Sequence, residues 1–389
     1  MNPTFKTTHR LIITASAAAL CAFAVFPARS QASAPQYTVT DLGITLFGSG
    51  NYPLNLSINV SGQVSGTSYN TFAAYPHAVR WTGAMPTYLA PAFNSRTYGY
   101  GINASGQIAG YIYDTTSQTH SALVWTGTTQ ASLAGFGADT YAYGINDAGQ
   151  AAGWAEIGHP NDPGYVQHAV RWTGTTPTDL GTLGGSYSYA FAINASGQVA
   201  GNAYTSGNNG DHAVRWTGTT ATDLGTLGGT FSGGFGINAS GQVVGEASLP
   251  GNSIYHAALW TGTTAADLGT LGGTLSYGTS INASGQVLGV SYIAGDASAH
   301  PFIYTGGTMY DLSTLLVPGS GFTNLSVGMT DGSVTPQGNS INDLGQIVAW
   351  GSIGNETHAL LLTPTPEPAS AALLLGGGVL LALRRRYRA

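Results

Sequence analysis

Ile193-Asn194-Ala195-Ser196-Gly197-Gln198 is one of seven copies of a single signature, Ile-Asn-x-x-Gly-Gln. The other copies begin at Ile58, Ile102, Ile145, Ile237, Ile281 and Ile341. Successive copies are 44, 43, 48, 44, 44 and 60 residues apart. A period of this size marks a solenoid, a propeller or an array, in which a unit buries its apolar face only by stacking on the next.

Outward from this copy, four segments read as strands: Ser188 to Ile193, Gln198 to Ala203, His212 to Thr217 and Thr222 to Gly225. Each is short, rich in β-branched or aromatic residues, and bounded by turn residues. Asn194 to Gly197 suits a type I turn followed by a left-handed glycine. Trp216-Thr217-Gly218 turns the third strand into the fourth, again with glycine free to take positive φ. Each repeat is therefore predicted to be a four-stranded antiparallel meander.

The strand count argues for a ring. The histidine strand begins at His77, His120, His168, His212, His256, His300 and His358. The fourth strand follows at Leu89, Leu133, Leu180, Leu224, Leu268 and Leu312, which is six copies. The seventh, Asp41-Leu42-Gly43, lies at the other end of the chain. A closed ring lets that strand complete the last sheet, whereas an open array leaves an exposed edge. The expected fold is all-β, a seven-bladed β-propeller of four-stranded antiparallel blades closed by the N-terminal strand. A β-solenoid is the alternative, but its coils are usually shorter and it leaves the permuted ends unexplained.

His-Ala-Val-Arg-Trp, Asp-Leu-Gly-Thr-Leu-Gly-Gly and Ile-Asn-x-x-Gly-Gln together resemble the HAF-type extracellular repeat, over roughly residues 37 to 362. The likeness is strong in the four central repeats. It weakens at Tyr88-Leu89-Ala90, at Ser132-Leu133-Ala134 and at Tyr304, which replaces tryptophan. The resemblance implies a secreted bacterial protein and carries no defined activity.

Both ends read as targeting segments. Lys6 and Arg10 precede an apolar stretch from Leu11 to Phe26, and Ala32-Ser33-Ala34 offers a cleavage site, so residues 1–34 are expected to be a signal peptide. Cys21, the only cysteine, falls inside it, so the mature chain has no thiol chemistry and no disulfide. After the repeat body, 35–363, the segment 364–389 holds Pro366-Glu367-Pro368, an apolar run from Ala369 to Leu383, and Arg384, Arg385 and Arg386. A helix of that run spans about 22 Å, short of the ~30 Å hydrocarbon core. The three-part order resembles the PEP-CTERM sorting signal, which implies a Gram-negative envelope route and an exosortase-type processing protease as partner. A simple membrane anchor is the other reading.

Between Pro35 and Pro364 there is no lysine, and the net charge is −12. That surface has no electrostatic footprint for nucleic acid. The histidines recur once per repeat, so a ring spreads them apart and denies zinc its three or four convergent ligands. Hydrogen bonding to neighbouring loops is the better account. The repeated aspartates before Leu-Gly are read as turn caps or as partners of these histidines. Trp81, Trp125, Trp172, Trp216 and Trp260 are read as core. Asn-Asp-Ala-Gly-Gln and Asn-Asp-Leu-Gly-Gln lack the carboxylates of a calcium loop, and Gly-Thr-Leu-Gly-Gly is followed by no lysine of a phosphate loop. No cofactor is expected.

The chain departs from its own repeat in two places. The loop from Gly158 to Gln167 and the crossover from Val317 to Asn339 both belong to the variable ends of the meanders, where binding usually resides. One position in the second strand also varies: Thr67, Tyr111, Trp154, Asn202, Glu246, Val290 and Trp350. Tyr111, Trp154 and Trp350 are the candidate ligand-binding residues, as stacking platforms for sugar; packing between blades is the competing reading. The expected function is a non-catalytic surface or matrix scaffold, with exopolysaccharide as a candidate ligand. The alternative is a propeller glycan hydrolase or lyase, for which His159, Asp162 and Asp331 are the nearest acid and base candidates.

Overall fold

The computed structural model describes residues 34–44, 54–69, 75–89, 96–137, 139–158, 164–327, 329–330, 333–334, 339–354 and 356–366. The expected signal peptide up to Ser33, His159, Asp162, Asp331 and the tail from Glu367, including Pro368, Arg384, Arg385 and Arg386, lie outside them. The described residues are all-β, with three short 3-10 turns. No helix among them is long and apolar enough to cross a membrane.

The repeat around Asn194 forms the four strands expected of it: Gly184–Ile193, Val199–Thr205, Asp211–Thr217 and Thr220–Asp223. They pair antiparallel in chain order. The same meander recurs along the chain as separate four-stranded sheets and within two larger ones of nine and eight strands. Single parallel pairs, Gln167 with Tyr187 and Tyr255 with Leu275, join successive meanders inside the larger sheets.

The last sheet is assembled from both ends of the chain. Tyr37–Ile44 pairs antiparallel with Glu356–Pro364, which pairs with Ile347–Ile353. The fourth strand of this sheet is Thr323–Ser326. This segment lies within the expected crossover from Val317 to Asn339, where no strand is predicted. It pairs at Thr323 with Ser352 and at Ser326 with Trp350, and it buries Leu325. Ile341, which should continue a first strand, makes only an isolated bridge to Ile347. Thr323–Ser326 thus covers an edge that would otherwise be unpaired.

Each residue of the signature has a physical task. The asparagine accepts the glutamine N–H four residues on, at 2.8–3.0 Å, which closes the turn. The intervening glycine sits at φ of 73–80°, which only glycine adopts without strain. The asparagine Nδ2 donates to the glutamine Oε1 and also to the backbone carbonyl of the next asparagine. These carbonyl bonds run Asn59 to Asn103, Asn146, Asn194, Asn238, Asn282, Asn342 and back to Asn59, at 2.9–3.3 Å. The cycle is closed, and every polar atom of each amide is engaged.

The core lies between successive meanders. Trp216 and Val214 share a cluster with Ala152 and Ala169 of the preceding repeat. Trp260 does the same with Ala200 and Ala213. Trp125, Trp172, Trp216 and Trp260 are at most 1% exposed, as core tryptophans should be. A further cluster joins Val348 and Trp350 of the last sheet to Leu56, Val64 and Trp81 of the first, with Leu42 of the N-terminal strand.

Six of the seven strand histidines bond to aspartates. His168, His212, His256 and His300 turn Nδ1 to the aspartate 11 residues on, at 2.7–3.0 Å. In the second repeat Ser132, 12 residues after His120, stands in the aspartate's place, and His120 takes Asp139 instead, at 3.0 Å. The aspartates Asp41, Asp179, Asp223 and Asp267 also accept the N–H of the glycine two residues on. Both expected tasks, turn cap and histidine partner, fall to one carboxylate.

Candidate functional site

The variable second-strand position keeps one register throughout. Tyr111 faces Tyr98 across the strand pair, Trp154 faces Tyr141, Asn202 faces Tyr189, Glu246 faces Gly233 and Val290 faces Tyr277. The chemistry at this fixed position changes from aromatic to polar to acidic along the chain.

Tyr98 stacks on Tyr111 with centroids 4.7 Å apart. Tyr141 meets the edge of Tyr111 at 4.8 Å and stacks on Trp154 at 4.2 Å. Tyr189 meets Trp154 edge-on at 5.7 Å. These offset and T-shaped contacts are the preferred geometries of aromatic pairs. Tyr100 and Tyr143 support the band from buried positions. Trp154 Nε1 donates to the Tyr143 hydroxyl at 3.3 Å. Burial pushes the Tyr143 phenol up to about 12, so this hydroxyl stays neutral as it accepts from Trp154.

The band continues into a polar cavity of about 360 Å³, bounded by Phe191, Asn202 and Asp211 of one repeat and Phe235, Glu246 and Tyr255 of the next. Asn202 Nδ2 donates to Asp211 Oδ2. Asp211 Oδ1 and Asn202 Oδ1 each expose less than 1 Å² and have no hydrogen-bond partner. Burial, with a further contribution from the Asp211 charge, pushes the Glu246 carboxyl up to about 7. Burial also raises Asp211, to about 6, against the Asn202 hydrogen bond and the nearby His212. Phe231 borders the cavity and is 40% exposed.

A second cavity, of about 220 Å³, lies at the opposite, turn end. Residues of all seven signatures line it, among them Asn59, Asn103, Asn146, Asn194, Asn238 and Asn342. Their amides are consumed by the closed cycle, so they offer a ligand little.

The structure brings Tyr111 and Trp154 into one band, linked through Tyr141. It places Trp350 elsewhere, 4% exposed within the apolar cluster around Leu42 and Leu56. Trp350 holds the register of Trp154 and acts as packing. Sequence reasoning did not assemble the acidic cavity. Asn202 and Glu246 stand out only as variation, and Asp211 and Tyr255 occupy the position before the strand histidine, which holds six residue types in seven repeats.

No family model matches the chain, and no curated protein matches it. Solved structures similar to it include the β-propeller domain of the Trilobed protease from Pyrococcus furiosus, which has an open velcro topology. That pair has 8% identity and a TM-score of 0.38, over 67% of this chain and 98% of that one. TolB from Acinetobacter baumannii has 11% identity and a TM-score of 0.41, over 78% of this chain and 64% of that one. A puromycin-hydrolyzing peptidase from Mycobacterium tuberculosis has 12% identity and a TM-score of 0.46, over 79% and 50%. The chain spans about half of that peptidase.

Proposed function

We propose that the chain is a seven-bladed β-propeller closed by its N-terminal strand, and that it is a non-catalytic scaffold of the cell surface or matrix that binds exopolysaccharide. The closed cycle of seven asparagine hydrogen bonds and the pairing of Tyr37–Ile44 with Glu356–Pro364 support the ring. The binding reading is carried by the band of half-buried rings from Tyr98 through Tyr111, Tyr141 and Trp154 to Tyr189. Flat aromatic surfaces on a rigid scaffold suit sugar rings. Export rests on the signal peptide and on the PEP-CTERM resemblance, with an exosortase-type protease as the processing partner.

A scaffold role also fits the carboxyls. Glycoside hydrolysis needs two carboxyl groups acting on one bond. Glu246 lines its cavity, but Asp211 has one oxygen bonded to Asn202 and the other enclosed.

The test incubates the full chain with the producing organism's own exopolysaccharide and records retention and polymer length. The expected result is retention without shortening, lost when Tyr111 and Trp154 are both changed to alanine. Shortening replaces the scaffold with a hydrolase or lyase. Absence of retention removes the glycan.

A further inference from the structure

The acidic cavity has a composition that sugar binding by the aromatic band does not use. Two carboxyl side chains and an amide border this cavity with four aromatic rings: Phe191, Phe231, Phe235 and Tyr255. We propose that this cavity is a binding site for an organic ammonium cation, with Glu246 as its contacting carboxylate and the rings as its walls. The proposal stands independently of the glycan reading.

The first argument is charge. Among the described residues there is no lysine, and the arginines are engaged elsewhere. Arg80, Arg171 and Arg215 reach the turn carbonyls of Gly106, Gly197 and Gly241. Arg96 lies over the rings of Tyr75 and Tyr113. His212, the neighbour of Asp211, turns Nδ1 to Asp223. The titratable groups around Glu246 are Asp211, Tyr255 and Tyr277; those around Asp211 are His212, Tyr189 and Tyr204. Apart from His212, all of them are acids or phenols. Beside these two acids the protein places only His212, whose Nδ1 is already bonded to Asp223, an arrangement that is costly when both acids ionise.

The second argument is the pair of enclosed acceptors. Buried polar atoms nearly always find a partner. Asp211 Oδ1 and Asn202 Oδ1 have none, and both add negative potential beside the cavity. A positive ligand is stabilised by that potential in a low-dielectric site even without touching either atom.

The third argument is the wall chemistry. Ring faces attract organic cations through their quadrupoles. Calcium would need six to eight oxygen ligands, and no group of three or more potential metal-binding side chains occurs among the described residues. Anions are repelled. A neutral ligand leaves the charge unmatched.

The site has a pH signature. A cation must displace the proton that burial keeps on Glu246. Affinity should therefore rise by up to about tenfold per pH unit below the Glu246 titration and level off above it.

Calorimetry on the full chain tests this with choline, whose charge is permanent, and with 3,3-dimethylbutan-1-ol, its neutral counterpart of the same shape. Choline should bind at least tenfold more tightly than the alcohol, and Glu246→Gln should abolish that preference. Glucosamine in place of choline distinguishes an amino sugar from a methylated ammonium. Phe235→Leu keeps an apolar wall, removes a ring face and should weaken choline several-fold, which carries the test with the wild-type pH series if Glu246→Gln fails to fold. Equal binding of choline and the alcohol, a preference unchanged in Glu246→Gln, or no binding of any of the cations would overturn the proposal.

Discussion

His358 Nδ1 and Asp41 Oδ2 lie 2.9 Å apart across 317 residues of chain. The pair reproduces, between the two ends, the bond that His168 makes to Asp179 within a single repeat. Asp41 also caps its own turn through the N–H of Gly43, as Asp179 does through Gly181. The N-terminal strand therefore fills a slot that other repeats fill from their own sequence.

Asp41→Ala removes the cap on the Gly43 N–H and leaves Nδ1 of His358, whose side chain is only 9% exposed, without its partner. It should lower stability by about 1–3 kcal/mol in urea unfolding. Removal of residues 37–44 is different in kind. It uncovers the edge of Glu356–Pro364, with Leu360 and Leu362. Light scattering should then show concentration-dependent association; a monodisperse monomer would contradict the role given to this strand.

Asn194→Ala removes four side-chain hydrogen bonds and leaves the Asn238 carbonyl with only the Gly241 N–H. The expected cost is about 1–3 kcal/mol in urea unfolding. Asn342→Ala should cost as much, because it opens the same cycle at its closing bond.

His77 is the exception among the strand histidines. Tyr88 occupies the place of the aspartate, edge-on at 6.4 Å, and neither ring nitrogen has a partner. Burial lowers the His77 pKa below its ordinary value of 6.5. The folded state thus favours the neutral ring, and its contribution is complete above 6.5 and lost as pH falls below it. Tyr88→Asp should supply the missing partner and move the His77 titration upward in an NMR pH series. An unmoved titration would show that the carboxylate does not reach the ring.

Glu246 gives the opposite pH dependence. Its carboxyl titrates at about 7 in the folded chain against an ordinary 4.5. The folded state binds more protons between those values, so this residue's stabilisation is full below 4.5 and falls as pH rises to about 7. Asp211, raised from 3.8 to about 6, acts in the same direction. The melting temperature of Glu246→Gln should gain on the wild type from pH 4.5 to 7.5. A constant difference between the two would exclude the shift.

The repeat was legible because each signature residue answers a local demand: isoleucine for the core, asparagine and glutamine for the turn, glycine for positive φ. The closed cycle was not, since it joins residues 43 to 283 positions apart. Thr323–Ser326 was missed because the long segment around it lacks the alternation that marks a strand. Trp350 and Trp154 share a register, and only the third dimension separates them: Leu42 and Leu56 crowd one, Tyr141 and Tyr189 flank the other. The acidic cavity draws Asn202, Asp211 and Glu246 from two repeats; Asn202 and Glu246 hold one repeat position 44 residues apart, but the period alone does not say that neighbouring copies share a cavity.

Thr365 N–H donates to the Gln36 carbonyl at 2.8 Å, so the first strand of the body waits for the last. The ribosome delivers the chain in one direction. Tyr37–Ile44 emerges early and has no sheet to join until more than 300 further residues have followed. Among the described residues that loop is the longest closed by strand pairing, and the entropy of closing it grows with its length. Assembly should therefore end at this seam, with the intervening sheets already stacked, which makes the clasp the final checkpoint on a chain that has arrived whole.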